Sequence, residues 1–362
     1  MKRILVVKLW ASGDILMATP ILTAIKSKHP ECEVIWLADS SHADILQGQP
    51  LIANVICFDS GQWRWLLRKG HLMKWLKEAY SLNKQLRQCH FDAVINCHPE
   101  KWWTRIFCAS AIRIGLFPSP RLPLIRLLYT TSLAKPVDVH NTDYYLRGVE
   151  ALGVTGPFDR HMRLHLSSED REVARDFLRG ELNYRPELPT IILHPGTSQP
   201  TKCWPVDSFA VLATLLTGMN VVITGSSREQ ILAEAIAAAM PKDAFRPIVA
   251  AGHLISIKAT AALVEMAAGV VTGDTSILHI ASALGTPFVG IFGSSRPKDN
   301  EPLFGPQALL FDDDVSCAPC YREHCPLSGN DILKCQKAIT PHQVFTALTT
   351  LLKETYERSF SA

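Results

Sequence analysis

Residues 4–37 read ILVVKLWASGDILMATPILTAIKSKHPECEVIWL. The stretch opens and closes on continuous apolar runs, 4–7 and 34–37, of the kind buried on both faces of a parallel sheet. Between them Ile21, Leu22 and Ile25 follow Pro20 at helical spacing. Strand, helix and strand within so short a span make a βαβ unit, which sets the class as α/β with a parallel sheet.

The same alternation continues on either side of this unit. Further apolar runs fall at 55–58 and 93–95, with a weaker one around 112–115, and Leu66, Leu67, Met73 and Leu76 repeat at helical spacing between them. The second half repeats the scheme: strands are expected at 191–193, 221–224, 270–272 and 288–292, and helices at 206–216, 229–239, 256–267 and 277–284. A chain of 362 residues exceeds one compact domain and fits two of about 150–200. The division is expected at 155–168, where Gly153, Gly156 and Pro157 break the pattern and Ser167-Ser168-Glu169-Asp170 carries a helix-capping signal. The expectation is therefore two doubly wound lobes, 1–165 and 166–340, followed by a helix over 341–362. That helix has apolar positions 344, 345, 348, 351 and 352 on one face and is expected to brace the lobes.

With 47% hydrophobic and 20% charged residues the composition is that of a globular chain, which excludes long disordered or fibrous segments. No run reaches the roughly 18 consecutive apolar residues of a membrane span, and Lys8 and Asp14 interrupt the opening run. Neither a signal peptide nor an anchor is expected. Without a secretory signal the ten cysteines argue for reduced thiols and a cytoplasmic location. Cys32, Cys57, Cys89, Cys97, Cys108 and Cys203, scattered among apolar or helical stretches, read as small buried hydrophobes.

The net charge of +3 conceals an asymmetry: residues 1–165 carry +8 and the remainder −5. Residues 60–126 alone hold 12 basic against 3 acidic residues (Glu78, Asp92, Glu100), interleaved with Trp63, Trp65, Trp75, Trp102 and Trp103. A basic, aromatic surface points to an anionic partner such as phosphorylated lipid, a membrane face or nucleic acid; a solvated helical face with core tryptophans is the alternative.

In open α/β sheets ligands bind beyond the carboxyl ends of the strands. No GxGxxG fingerprint and no GxxxxGK[ST] loop occurs. The first strand instead leads to Trp10-Ala11-Ser12-Gly13-Asp14, a carboxylate beside a flexible glycine, placed for a general base or for a helix N-terminus. The strand at 191–193 leads to HPGTSQPTKCWP (194–205), where hydroxyls, a glycine and Lys202 suit a phosphate cradle or a plain loop. The strand at 270–272 leads to Gly273-Asp274-Thr275-Ser276, a hydroxyl-rich helix start suited to a pyrophosphate. There Asp274 is a ligand or a cap, and His279 a site residue or a core histidine.

Together KLWASGDILMATPILTAIKSKHPECEVIWL (8–37), HPGTSQPTKCWP (194–205) and GDTSILHIASALGTPFVGIFG (273–293) resemble glycosyltransferase family 9, the ADP-heptose:lipopolysaccharide heptosyltransferases. The resemblance implies a GT-B fold, two Rossmann-like lobes facing a central cleft, with acceptor bound by the N-terminal lobe and sugar nucleotide by the C-terminal one. It implies metal-independent, inverting transfer of heptose from ADP-heptose to an anionic lipopolysaccharide-core glycolipid at the inner membrane face, with peripheral membrane contact and no nucleic-acid partner. A protein acceptor, as for autotransporter heptosyltransferases, and a catalytically silent sugar-nucleotide-binding protein are the alternatives. Carried over by residue, Asp14 is the base. Thr197, Ser198 and Lys202 hold the donor phosphates, and Asp274, Thr275 and Ser276 line the sugar and pyrophosphate site with His279 nearby. Glu229, after Gly225-Ser226-Ser227, lies near the nucleoside. Gly13, Arg64, Arg68 and Lys69 are the acceptor-side candidates. Trp10 stands where small residues are usual, and Cys203 where arginine is commoner.

Cys317, Cys320, Cys325 and Cys335 have the spacing of a tetrahedral thiolate site for structural zinc or iron, with His324 as a substitute ligand. Reduced structural thiols or a CxxC disulfide are the alternatives. Similar clusters recur in the family, and certain autotransporter-modifying relatives hold iron with theirs. No cofactor is expected for catalysis.

Overall fold

The computed structural model describes residues 1–99, 110–117, 123–254 and 256–359. Glu100, Trp102, Trp103 and Cys108 lie outside the described residues. The chain forms two compact units, Met1–His165 and Leu166–Ala362.

The first unit is a parallel six-stranded sheet in the order β3-β2-β1-β4-β5-β6. Its strands are β1 (Arg3–Val7), β2 (Glu33–Asp39), β3 (Asn54–Phe58), β4 (Ala93–Asn96), β5 (Ile112–Phe117) and β6 (Thr131–Ala134). The helices are α1 (Ser12–Ala18), α2 (Pro20–Lys28), α3 (Ser60–Arg68), α4 (Leu72–Gln88), α5 (Pro123–Arg126) and α6 (Asn141–Glu150). Pairing of Leu5 with Ile35 and of Val7 with Leu37 turns these side chains to the face covered by α3 and α4, where they meet Trp63, Leu66, Trp75, Leu82 and Leu86. Ile4 and Val6 point the other way and are equally buried, so both faces are covered. The order reverses between β1 and β4, and segments leaving the carboxyl ends of those two strands flank a topological switch point.

The second unit repeats this plan with the order β12-β11-β10-β7-β8-β9. Its strands are β7 (Thr190–His194), β8 (Asn220–Ile223), β9 (Ile248–Val249), β10 (Gly269–Gly273), β11 (Phe288–Ile291) and β12 (Gln307–Leu310). Its helices are α7 (Ser168–Gly180), α8 (Val206–Leu215), α9 (Gln230–Ala239), α10 (Ile257–Met266), α11 (Ser276–Leu284), α12 (Pro297–Asn300), α13 (Lys334–Lys337) and α14 (Pro341–Ser359). α7 opens with a capping box in which Ser167 and Asp170 satisfy each other's backbone N–H. The switch point here lies between β7 and β10. α14 packs on α8 and on β10, β11 and β12 of its own unit, with Val344 and Leu348 fully buried. Leu348→Ala should lower unfolding free energy by about 2–5 kcal/mol, read as a fall in the urea midpoint. A loss below about 0.5 kcal/mol would mean the helix is not part of this core.

Of the two readings of the tryptophans in 60–126, core packing holds for Trp63 and Trp75, whose rings lie 5.7 Å apart, and among the described tryptophans of that stretch only Trp65 is exposed. One cysteine expectation is corrected. Cys57 is exposed, because on the edge strand β3 it alternates with the inward-facing Ile56 and Phe58. Among the described residues no helix is long and apolar enough to cross a membrane.

Candidate active site

At the end of β1 the sheet gives way to a charged pair. Lys8 directly follows the strand and is only 3% exposed, and its ammonium lies 3.0 Å from Asp14 Oδ2 and 5.4 Å from the Tyr145 ring centroid. An ammonium so enclosed is tolerable only with a counter-charge, and Asp14 provides it while keeping its own side chain 35% exposed. Asp14 stands in the first turn of α1, where the helix dipole also favours a carboxylate. α1 starts without a side-chain cap; Ala11 adopts φ 63° and turns the chain into the helix. Gly13 is therefore a buried residue of that first turn and not a flexible hinge.

Beside this pair the carboxyl ends of β2 and β4 contribute a hydrogen-bonded network. Trp10 Nε1 donates to Ser60 Oγ (3.2 Å) and Asp39 Oδ2 (3.4 Å), and its ring meets His98 edge-on at 4.9 Å. Burial alone would raise the Asp39 carboxyl, but hydrogen bonds from Ser41 and Ser60 carry it below the ordinary range. Ser12 Oγ lies 3.1 Å from His42 Nδ1, and burial, with help from Lys8 and against Asp39, holds that imidazole below its usual value. Arg64 sits one turn into α3 and donates to the Ser60 carbonyl. Arg68 and Lys69 lie at the opposite end of α3, about 12 Å from Ser60 along the helix axis.

In the second unit the segments after β7 and β10 converge. Lys202 Nζ lies 2.5 Å from Asp274 Oδ2, with side chains 19% and 8% exposed, and Ser295 Oγ donates to the same carboxylate oxygen at 2.8 Å. Gly273 makes the approach feasible: a Cβ there would stand 3.0 Å from the Lys202 carbonyl and 3.5 Å from Thr197 Cγ2. Thr197 Oγ1 donates to the Gln199 carbonyl at 2.6 Å, so this hydroxyl shapes the loop. Thr275 Oγ1 caps α11 by accepting from Ile277 N–H, and Ser276 begins that helix. Ser198 is exposed on the loop, and His279 is buried within α11. The result is a cation and a helix N-terminus set together at the sheet's switch point, an arrangement that attracts phosphate.

Glu229 stands beside this cluster. Its carboxylate accepts from Ser226 N–H (2.7 Å) and Oγ (2.8 Å) and lies so close to Gly196 that a Cβ there would come within 2.1 Å of Oε1. Desolvation lowers the neighbouring His194 imidazole, with Glu229 opposing, and His194 Nδ1 pairs with Thr224 Oγ1 at 3.0 Å.

The thiolate expectation finds no support among the described residues. Among the described residues no group of three or more His, Cys, Asp or Glu side chains is arranged to hold a metal ion. Cys335 is buried in α13 against Gly293, Cys325 Sγ accepts from Leu333 N–H, and His324 is exposed. Burial, reinforced by Cys317 and Cys320, raises the Cys335 thiol. The segment instead braces the lysine loop: Thr201 Oγ1 donates to the Arg322 carbonyl, and Gln336 Nε2 donates to the Thr201 carbonyl at 3.1 Å. Inspection of the sequence missed Gln336, Ser295 and Lys8. Of these, only Lys8 left a signal, a lone cation directly after an apolar strand.

The profile described as glycosyltransferase family 9 (heptosyltransferase) matches residues 79–330. Lipopolysaccharide heptosyltransferase 1 of Pseudomonas aeruginosa is 26% identical over 333 residues, covering 89% of this chain and 87% of its own. The structure of a family 9 glycosyltransferase from Veillonella parvula superposes with a TM-score of 0.80 at 24% identity, covering 98% of this chain and 97% of its own. That of E. coli ADP-heptose lps heptosyltransferase II gives 0.76 at 20% identity, covering 98% and 100%.

Proposed function

The chain belongs to glycosyltransferase family 9 and is a glycosyltransferase, and from that premise we propose that it transfers heptose from ADP-heptose to the core of a lipopolysaccharide acceptor. Support for heptose as the sugar and lipopolysaccharide as the acceptor comes from relatives named lipopolysaccharide heptosyltransferase, matched over most of both chains. Support for the donor side comes from one observation above the others: Lys202, ion-paired to Asp274, stands beside the N-terminus of α11.

In this account residues 166–340 bind the donor. The departing diphosphate gains negative charge as the glycosidic bond breaks, so Lys202 and the Ser276 N–H at the start of α11 stabilise that state more than the ground state. Thr197, Ser198 and Thr275 shape the phosphate and sugar surroundings, Asp274 aims Lys202, and Glu229 meets the nucleoside. Residues 1–165 bind the acceptor, with Gly13 and Arg64 on its side. Asp14 takes the proton from the acceptor hydroxyl as that oxygen attacks the anomeric carbon. A single displacement of this kind inverts the anomeric configuration and asks nothing of a metal ion. Lys8 keeps Asp14 in place from behind, and the network of Trp10, Asp39 and Ser60 walls the same end of the sheet.

Calorimetry with ADP-heptose, UDP-hexoses and GDP-hexoses tests the donor assignment, which requires ADP-heptose to bind most tightly; equal or tighter binding of a UDP-sugar would contradict it. Gly196→Ala provides a local check. Its methyl must displace the Glu229 carboxylate, a movable side chain, so thermal stability should hardly change while affinity for ADP falls about tenfold, as for Glu229→Ala. Unchanged ADP affinity in both variants would remove Glu229 from the nucleoside site.

A further inference from the structure

The turn between α3 and α4 exposes what a solvated helix pair would hide. Trp65 (51% exposed), Leu72 (52%), Met73 (79%) and Leu76 (45%) surround a tight connection of Lys69, Gly70 and His71, in which Gly70 adopts φ +73°. The Trp65 and His71 rings lie 5.4 Å apart, so both sides of the turn form one patch. These side chains are not displaced core residues. The inward faces of the two helices are already filled by Trp63, Leu66, Trp75 and Leu82, packed on the sheet.

Cations are interleaved with the apolar groups. Residues 60–77 contain five Lys or Arg and no Asp or Glu. Among the described residues Arg68, Lys69, Lys74 and Lys77 form no ion pair with a carboxylate. On α4, Met73, Leu76, Lys77 and Tyr80 follow the i, i+3, i+4, i+7 spacing that puts them on one stripe. Lysine is depleted at the centre of protein–protein interfaces, whereas apolar and aromatic groups beside lysine and arginine are the composition of helices that lie in the headgroup plane.

We propose that the α3–α4 hairpin is a membrane-docking surface that seats this protein on an anionic lipid bilayer. Trp65, Leu72, Met73 and Leu76 enter the headgroup region, and the surrounding cations meet lipid phosphates. The inference rests on the proposed function only for its purpose, which is to bring the enzyme to a glycolipid acceptor. Its geometry is independent of the sugar transferred.

Flotation of the full chain with vesicles tests it directly. The protein should float with mixed phosphatidylglycerol and phosphatidylethanolamine vesicles and not with phosphatidylcholine. It should be released at 1 M salt, where the Debye length is about 3 Å. Removing two cations in Lys74→Ser/Lys77→Ser should weaken vesicle binding about 25-fold, and Met73→Ser/Leu76→Ser at least about tenfold. All four positions are exposed, so both variants should retain thermal stability and full turnover of a delipidated, water-soluble acceptor. Absence of flotation with anionic vesicles, equal binding to phosphatidylcholine, or variants that float like the parent would each overturn the proposal. So would a vesicle-free dimer that Met73→Ser/Leu76→Ser dissociates, since the face would then belong to a second copy. Vesicle binding needs neither donor nor acceptor, so failed docking with intact transfer condemns only the docking, and failed transfer with intact docking condemns only the substrate assignment.

Discussion

Asp14→Asn should lower kcat by about 10²–10⁴-fold while leaving the affinity for ADP within about twofold, because a positioned general base contributes on that scale and the amide accepts no proton. The substitution also strips the counter-charge from Lys8, an ammonium 3% exposed, so a loss of stability must be kept apart from a loss of chemistry. The double variant Lys8→Met/Asp14→Asn does this. It removes both charges, should recover most of the thermal stability lost in Asp14→Asn, and should stay inactive. Lys8→Met alone leaves Asp14 in place without its anchor and should give an intermediate kcat, partly rescued by Lys8→Arg. Turnover of Asp14→Asn within tenfold of the parent, measured well below its unfolding temperature, would remove Asp14 from the chemistry.

Lys202→Met should weaken binding of ADP by about 10–100-fold and slow transfer at least as much, since a charge-assisted hydrogen bond to phosphate is worth about 1.5–3 kcal/mol and acts in product and transition state alike. Here too a buried partner is orphaned: Asp274 is 8% exposed and would keep only the Ser295 hydroxyl among its two named partners. Lys202→Met/Asp274→Asn should restore stability without restoring ADP affinity. An ADP affinity that follows stability across these variants would mean that the ion pair holds the loop and does not touch the donor.

What the amino-acid sequence disclosed follows from what each element buries. Strands covered on both faces are continuous apolar runs, and so β1, β2, β7, β10 and β11 could be placed within two residues at either end. β6, β9 and β12 escaped notice because they are short and peripheral; β12, at the sheet edge, is half-buried along its whole length. α1 entered only as the helix-start alternative for Asp14, for another reason. No capping side chain announces it, and a left-handed alanine begins it. The motif residues Asp14, Lys202, Asp274 and Ser276 could be named from their positions after strands, yet their charge partners could not. Lys8 looks like an interruption of a strand until Asp14 and Tyr145 are seen around it, and the late cysteines carry a ligand spacing that the described residues do not assemble into a metal site.

Heptose transfer itself is measured by mass spectrometry of a water-soluble lipopolysaccharide-core acceptor incubated with the protein and ADP-heptose. The expected result is an acceptor heavier by one heptose residue, stoichiometric release of ADP, and the same rate in the presence of a chelator. An acceptor of unchanged mass, with ADP-heptose intact or merely hydrolysed while the same acceptor is extended by a UDP-sugar, would contradict it.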